Sequence, residues 1–122
     1  MVLVDTSVWI ALFRQKDATL GKKMLSLIAA NEAALCGQIW IEYLGGFRNE
    51  GMRKFHENAL TAFPFLETTK EAFHLAADLL ADHPRLGAGD AIIAATAISN
   101  EASLLSLDRD FHSLTRIGLR LF

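Results

Sequence analysis

Short apolar runs alternate with longer segments of helical periodicity along this 122-residue chain. The apolar runs that predict β-strands are residues 2–5, 33–36, 63–67, 103–107 and 119–122. Strands that alternate with helices are typical of a parallel α/β sheet. We therefore predict a three-layer α/β/α fold with a central, mostly parallel sheet of four or five short strands. Pro64 favours an edge position for the third strand, since proline lacks a ladder donor.

The segments between the apolar runs predict helices. Residues 20–28 place their apolar side chains on one helical face, and either Asp17 or Thr19 can cap that helix. The other predicted helices are residues 7–13, with Thr6 or Ser7 as N-cap, 38–47, 53–62, 69–82 and 90–100. Pro84 stops the fifth helix, and the Gly-Ala-Gly sequence of residues 87–89 predicts a flexible turn before Asp90 opens the last helix.

Length, charge and cysteine content narrow the class of protein. A chain of 122 residues supports one core, and we expect residues 1–122 to form a single domain. The net charge of -2 argues against a general polyanion-binding protein, so any nucleic acid must be held locally. Cys36 is the only cysteine, which excludes an internal disulfide and favours a reducing cytoplasm. The histidines are scattered singly and are expected at the surface or at helix ends: His56, His74, His83 and His112.

The first residues do not predict a targeting segment. Asp5 interrupts the first apolar stretch, and no basic residues precede it. We therefore expect neither a signal peptide nor a membrane span, and we expect a soluble, cytoplasmic protein.

Four acidic residues stand beside apolar segments. Asp5 and Asp108 follow the first and fourth predicted strands. Glu42 lies in the third predicted helix, and Asp90 lies at the start of the last. A charge beside a core is costly unless it is paired or bound to a cation, and no Lys or Arg lies within these apolar runs. Ligand sites in open α/β sheets lie beyond the carboxyl ends of the strands, so we expect these acids to face one crevice that binds a divalent metal.

Simpler interpretations stay open for two of the acids. Asp90 can serve as an N-cap that accepts from free backbone amides. Glu42 is followed at helical spacing by Gly45 and Gly46. These glycines either allow close backbone approach of a ligand or partner, or they simply end the helix at Gly45.

The order and local sequence of the acidic segments resemble a known family. The segments are LVDTSV at residues 3–8, IEYLGG at 41–46, DAIIAATA at 90–97 and LLSLDRDF at 104–111. Together they resemble the PIN domain over nearly the whole chain, and most closely the short VapC-type toxins of prokaryotic toxin–antitoxin pairs. The resemblance implies a PIN-like fold and a metal-dependent endoribonuclease. Residues 87–89 depart from the family where many relatives have proline, and we expect little effect.

The resemblance also assigns the site residues. It implies that the catalytic acids are Asp5, Glu42, Asp90 and Asp108, of which Asp5, Asp90 and Asp108 hold the metal. Ser106 supplies the hydroxyl of the family's hydroxyl-x-Asp motif. Asp110 also fits near the fourth acid position, so the choice between Asp108 and Asp110 stays open.

Clustered carboxylates repel one another and raise one another's pKa values unless a cation neutralises them. Oxygen ligands favour Mg²⁺ over zinc, with Mn²⁺ as a substitute. The metal can activate a water as nucleophile, and the resemblance implies hydrolysis that leaves a 5′-phosphate and a 3′-hydroxyl. Thr6 and Ser7 can hold a metal-bound water or a phosphate oxygen, although helix capping is their favoured role.

Basic and aromatic residues near the acidic segments suggest contacts with RNA. The basic residues that can bind phosphates are Arg14, Lys16, Arg48, Arg53, Lys54 and Arg109, and ordinary solvated surface charges are the alternative. Trp9, Trp40 and Phe47 either stack on bases or belong to the core or a protein interface. The resemblance further implies a homodimer and a small antitoxin protein as partners.

Two other Mg²⁺-binding folds, both phosphoryl-transfer domains, are alternatives. A response-regulator receiver needs adjacent acids after the first strand, but Thr6 follows Asp5. A haloacid-dehalogenase-type phosphatase needs a second acid two residues after the first, where this chain has Ser7. The third alternative is a catalytically inactive binding module on a PIN fold, which the intact acids disfavour and which an activity assay tests.

Overall fold

A computed structural model describes residues 1–15 and 17–122. Its strands are β1 (Val2–Val4), β2 (Ala33–Cys36), β3 (Phe65–Leu66), β4 (Ser103–Leu105) and β5 (Arg120–Leu121). They form one five-stranded sheet in the order β3-β2-β1-β4-β5, and every pairing is parallel. The predicted parallel sheet is confirmed, and the third strand lies at an edge as Pro64 indicated. Lys16, a predicted RNA contact, lies outside the described residues.

Helices flank the sheet. In the described part of the chain they are α1 (Thr6–Arg14), α2 (Ala18–Ala29), α3 (Gly37–Gly45), α4 (Glu50–Leu60), α5 (Lys70–Asp82) and α6 (Ala88–Ser99), followed by a 3₁₀ helix (Arg109–Ile117). No helix among these residues is long and apolar enough to cross a membrane. Strand order runs outward from β1 through β2 to β3 and then returns to β4 on the other side of β1. The topological switch point therefore lies between β1 and β4, where ligand sites of such sheets form.

The start of α1 differs from the prediction. Asp5 is the N-cap, and its side chain makes no capping hydrogen bond. Thr6 and Ser7 already lie in the helix, so capping is not their role. The cap of α2 is confirmed as Asp17, whose side chain accepts from the backbone N–H of Leu20. A side-chain acceptor just before the helix also explains why α4 begins three residues before its predicted start.

Asn49 is the residue that starts α4. Its side-chain oxygen accepts from the backbone N–H of Met52 at 3.0 Å. An asparagine at this position stabilises a helix by satisfying one of the free amides of the first turn. The predicted start at residue 53 was therefore late by nearly one turn.

The start of α6 also differs from the prediction. Gly87 is the N-cap, and Ala88 and Gly89 lie in the first turn. The predicted flexible turn at residues 87–89 is therefore wrong. Asp90 is the third residue of the helix, so the N-cap interpretation of Asp90 is wrong as well.

The segment after β4 contains an element that was not predicted. The strand ends at Leu105, so Asp108 stands three residues beyond it and is the N-cap of the 3₁₀ helix. Phe111 and Leu114 of that helix are completely buried, with 0% exposure. These two side chains fix the 3₁₀ helix against the core beside the carboxyl end of β4.

The three aromatic residues considered for base stacking lie in the core or pack against it. Trp9 is 5% exposed and its indole N–H donates to the backbone oxygen of Val4 at 2.9 Å, so a base-stacking role is wrong for this residue. Phe47 is half-buried and stacks on the ring of His56. His56 is consequently not the surface residue that was predicted. Trp40 is also half-buried and meets the ring of Phe65 edge-on.

Candidate active site

Asp5 is a buried carboxylate held by two serine hydroxyls. It follows β1 directly and is 5% exposed. Its Oδ2 accepts hydrogen bonds from Ser7 Oγ at 2.8 Å and from Ser106 Oγ at 2.7 Å. Its backbone N–H donates to the carbonyl oxygen of Leu105 at 2.9 Å, which ties the end of β1 to the end of β4. A buried carboxylate needs such donors, and this chain supplies them from both sides of the switch point.

The same serines order the loop after β4. Ser106 Oγ accepts from the backbone N–H of Asp108 at 3.0 Å, and Ser7 Oγ accepts from the backbone N–H of Leu107 at 3.1 Å. The structure therefore brings Ser7 and Ser106, both predicted as auxiliary residues, together with Asp5. Their hydroxyls connect the position of Asp5 to the position of Asp108.

Glu42 is held at both carboxylate oxygens. Thr6 Oγ1 donates to Glu42 Oε1 at 2.8 Å, and Gln38 Nε2 donates to Glu42 Oε2 at 2.8 Å. Thr6 was predicted as an auxiliary residue, and its side chain contacts this carboxylate. Gln38 was not predicted to contribute to the site. Its spacing of four residues from Glu42 on one helix was the signal that identifies such a pair.

Gly89 lets α6 approach the side chain of Glu42. A Cβ at this position would lie 2.6 Å from Glu42 Oε2 and 2.8 Å from Gln38 Nε2, which is too close for either atom to stay in place. A Cβ on Gly45, by contrast, would meet nothing within 4 Å. α3 ends at Gly45, so the helix-end interpretation of Gly45 and Gly46 is confirmed. The glycine with the close approach is Gly89, which sequence reasoning placed in a turn.

Asp90 carries the least favourable charge of the site. Burial raises the pKa of its carboxyl from the ordinary 3.8 to about 6, and the negative charges of other acids add to this effect. Those acids are, in decreasing order of effect, Asp108, Asp5, Glu42 and Asp110. No side-chain hydrogen bond to Asp90 is found among the described residues. These effects indicate that the other four carboxylates lie near Asp90.

Asp108 and Asp110 both face this crevice but differ in their surroundings. Asp108 is half-buried, whereas Asp110 is exposed. Asp108 Oδ1 accepts from the backbone N–H of Asp110 at 2.9 Å. The charge of Asp108 also raises the pKa of Asp90 more than the charge of Asp110 does. These differences favour Asp108 as the fourth acid.

The predicted phosphate contacts lie at different distances from the acids. Arg14 is the last residue of α1, and the rise of the helix places its backbone about 13 Å from that of Asp5. Arg48 is exposed after the end of α3. Arg109 is the first residue of the 3₁₀ helix and follows Asp108 directly. Among the described residues of the predicted set, it is the one that is adjacent in sequence to an acid of the crevice.

The other two basic residues of that set lie on α4. Arg53 is exposed, and Lys54 forms a salt bridge with Glu50 at 3.2 Å, one turn away on the same helix. Both side chains are exposed, which agrees with a phosphate contact as well as with an ordinary surface charge.

The donor set of the crevice fits a hard divalent cation. Its side chains offer carboxylate and hydroxyl oxygens, which Mg²⁺ and Mn²⁺ prefer to nitrogen or sulfur. The raised pKa of Asp90 shows that negative charge there lacks compensation from the protein. Within the described ranges, no three Asp, Glu, His or Cys side chains already surround an ion-sized gap. Asp5 and Glu42 instead direct oxygens towards neighbouring donors.

Comparison with known proteins matches this geometry to a described family. The model of the PIN domain family matches residues 2–117. The ribonuclease VapC11 of Mycobacterium tuberculosis is 29% identical over an alignment of 125 residues. The alignment covers 96% of this chain and 93% of that protein.

Two solved structures have the same fold at lower identity. The toxin–antitoxin complex from Klebsiella pneumoniae contains a chain that superposes with a TM-score of 0.77 at 22% identity, covering 91% of this chain and 90% of that one. VapBC2 from Rickettsia felis, bound to a DNA fragment from its promoter, superposes with a TM-score of 0.78 at 14% identity, covering 100% and 98%. At these identities the superpositions establish the fold.

Proposed function

Because the chain belongs to the PIN-domain family, we propose that it is a metal-dependent endoribonuclease and the toxin of a VapBC-type toxin–antitoxin pair. The observation that carries the proposal is the crevice at the switch point, where Ser106 links Asp5 to the backbone of Asp108 and where Gly89, next to Asp90, approaches the carboxylate of Glu42. The relative named as a ribonuclease covers nearly the whole chain and supports the same activity. The family match also sets aside the receiver and haloacid-dehalogenase alternatives.

We assign the roles of the four acids from their surroundings. Asp5, Asp90 and Asp108 would hold the metal, and Mg²⁺, with Mn²⁺ as a substitute, suits their oxygen donors. When bound, the ion lowers the pKa of a coordinated water and offsets negative charge on the phosphoryl oxygens. Glu42 completes the catalytic set from the opposite helix. Asp110 lies at the rim of the crevice and is an auxiliary group.

The remaining side chains orient these acids. Ser7 and Ser106 fix one oxygen of Asp5, so its other oxygen keeps a defined direction. Thr6 and Gln38 fix both oxygens of Glu42. These four donors satisfy the carboxylate oxygens that they contact and so hold Asp5 and Glu42 in place. Within residues 1–15 and 17–122 no side-chain donor reaches Asp90, which leaves its carboxylate available to a cation or the reacting water.

The partners follow from the same proposal. RNA is the substrate, and a small antitoxin protein is the partner that controls the toxin, as in the toxin–antitoxin complexes with the same fold. We further propose that the protein forms a homodimer. We also propose that it acts on RNA in the cytoplasm. Residues 1–122 would form one nuclease domain.

RNA cleavage by the purified protein tests this function. We expect cleavage of single-stranded or loop RNA in Mg²⁺ or Mn²⁺, with 5′-phosphate and 3′-hydroxyl ends, and none in excess EDTA. Full activity in EDTA would contradict the metal-dependent mechanism. RNA binding without cleavage in either ion would instead identify an inactive binding module. Mapping of the ends on total cellular RNA then identifies which RNA is cut.

A further inference from the structure

A cleft of about 650 Å³ lies between the α5–α6 loop and the 3₁₀ helix. Arg85 and Leu86 line it from the loop, and Arg109, Asp110 and Ser113 line it from the 3₁₀ helix. Its volume falls in the range of pockets that bind ligands. The sequence analysis singled out Arg109 but gave no role to the loop residues. The cleft is therefore a separate feature of the molecule that the four catalytic acids do not explain.

The cleft adjoins the acidic crevice. Asp110 lines the cleft, and its backbone N–H donates to the carboxylate of Asp108 in the crevice at 2.9 Å. The loop that forms the opposite wall leads directly into the first turn of α6, which carries Asp90. Within that loop the backbone N–H of Leu86 donates to the carbonyl oxygen of His83 at 2.9 Å. A chain bound in the cleft would consequently reach the acids within a short distance.

Both arginines of the cleft have unused donors. In the part of the chain that the structure describes, neither guanidinium makes a hydrogen bond, and the salt bridge found is the one between Lys54 and Glu50. Arg85 and Arg109 are thus unpaired even though Asp82 and Asp110 line the same cleft. A guanidinium offers five N–H donors in a planar fork that matches the oxygens of a phosphate. Two such groups in one cleft suit a ligand with repeated phosphates.

The wall that carries Arg109 is rigid. Phe111 and Leu114 anchor the 3₁₀ helix in the core, with 0% exposure for both. Asp108 fixes the start of the helix by accepting from the backbone N–H of Asp110. A binding group on an ordered segment loses less conformational entropy when the ligand binds. The cleft is therefore preorganised on the side that faces the acids.

We propose that this cleft binds the RNA backbone next to the cleaved bond, with Arg85 and Arg109 contacting the flanking phosphates. The inference rests on the proposed ribonuclease function and names the substrate contacts of the same site. RNA fits better than an acidic protein segment because the cleft leads to the crevice where a phosphodiester must be cleaved. A carboxylate-rich segment would gain nothing from that proximity.

Cleavage kinetics of single arginine variants test the proposal. Arg85→Ala and Arg109→Ala should each raise the KM for single-stranded RNA about tenfold, the effect of losing one charged hydrogen bond, and change kcat little. Arg120→Ala is the matched control, because Arg120 lies on β5 at the opposite end of α6, next to Glu101. Its KM should equal that of the wild type. Equal melting temperatures will show that all three variants are folded.

Salt dependence and a lysine substitution sharpen the assignment. Each lost phosphate contact should reduce the slope of log affinity against log salt by about 0.7 for a single strand. Arg85→Lys keeps the charge but loses the planar fork, so it should restore the slope and only part of the affinity. Fluorescence anisotropy of labelled RNA in Ca²⁺ measures both quantities without requiring cleavage.

The outcomes separate this inference from the proposed function. If the wild-type protein cleaves RNA and the variants Arg85→Ala, Arg109→Ala and Arg120→Ala all have its KM and RNA affinity, the inference is overturned. The proposed nuclease function would then still stand. A wild-type protein that never cleaves, yet binds RNA less tightly in the two cleft variants, would retain the inference and reject the nuclease function. Loss of labelled polyglutamate binding in the cleft variants, with RNA affinity unchanged, would overturn the RNA assignment in favour of an acidic protein segment.

Discussion

The two sides of the acidic crevice are held in different ways. On the hydrogen-bonded side, Asp5 accepts from two serine hydroxyls and Glu42 accepts at both oxygens. On the open side, Asp90 has no side-chain donor among the described residues, and Asp108 accepts from one backbone N–H. The pKa of Asp90 is raised to about 6, first by burial and then by the charges of the other acids.

This difference separates what the protein stabilises itself from what it leaves to a ligand. Hydroxyl and amide donors of the protein already satisfy carboxylate oxygens of Asp5 and Glu42. The charge of Asp90 stands in the first turn of α6, where the helix dipole favours an anion, and its pKa is nevertheless raised. Desolvation and repulsion therefore outweigh the dipole. The open side is the place where a cation gains most.

Removal of one acid from each side is the most severe test of this comparison. Asp90→Asn removes a metal-binding charge from the open side, and Glu42→Gln removes the catalytic charge of the hydrogen-bonded side. We expect each to reduce RNA cleavage by more than about 100-fold, beyond the usual effect of losing an outer contact of a metal site. Asn and Gln keep the shapes of the acids, so circular dichroism should show folded proteins. Wild-type cleavage by the Asp90→Asn protein would contradict the assignment at its strongest point.

Crowding the hydrogen-bonded side should be less severe but still measurable. A Cβ in Gly89→Ala would lie 2.6 Å from Glu42 Oε2 and 2.8 Å from Gln38 Nε2, so both groups must move. We expect a loss of activity of about 10- to 100-fold, typical of a displaced supporting group. Gly45→Ala on α3 is the matched control, since its Cβ meets nothing within 4 Å. Equal activity of the two variants would show that the position of Glu42 is not critical.

The two acids of the 3₁₀ helix give a finer test of the open side. Asp108→Asn should lower cleavage about tenfold or more, and Asp110→Asn should lower it less, because Asp108 is half-buried and acts more strongly on Asp90. The asparagine side chain of the Asp108→Asn variant still offers an oxygen for the backbone N–H of Asp110, so the helix start is preserved. Cleavage rates at saturating Mg²⁺ compare the two. A larger loss in Asp110→Asn would make Asp110 the fourth acid.

The sequence predicted the components of the crevice better than their contacts. Asp5 follows a short run of strand-forming residues, and parallel strands all end at the same edge, so its position is a local consequence of the pattern. The contact between Gly89 and Glu42 depends instead on how two helices pack. Pattern and propensity carry no information on that distance, and the Gly-Ala-Gly segment accordingly suggested a turn.

The region after β4 was the least predictable. Its strand is shorter than the apolar run because Ser106 turns its hydroxyl towards Asp5 and leaves the sheet. The 3₁₀ helix that follows has only Phe111 and Leu114 as buried anchors, too few for a clear helical periodicity. Thr6 and Ser7 were assigned to a cap by their residue type, whereas their hydroxyls donate to the carboxylates of Glu42 and Asp5. Local rules fail here because the donors serve the site.

The pH dependence of stability in EDTA isolates the cost of the open side. Asp90 has a folded pKa of about 6 against an ordinary 3.8, so between these values the folded protein binds a proton that the unfolded chain lacks. This contribution to stability is fully present below the unfolded pKa and is lost as the pH rises through the folded pKa. Wild-type protein should therefore lose stability relative to Asp90→Asn between about pH 4 and pH 7. If the melting temperatures of the two proteins differ by a constant amount over that range, the charge of Asp90 is not uncompensated in the folded protein.

Thermal or denaturant unfolding with and without Mg²⁺ tests the central claim most directly, because it measures whether the open side binds a cation. At neutral pH in EDTA, Asp90→Asn should melt above the wild type, since the mutation removes the repelled charge. Mg²⁺ at roughly ten times its dissociation constant should then stabilise the wild type by about 1.4 kcal/mol, and Asp90→Asn should respond much less. Equal Mg²⁺ responses of the two proteins would contradict the account, since Asp90 would then not hold the metal.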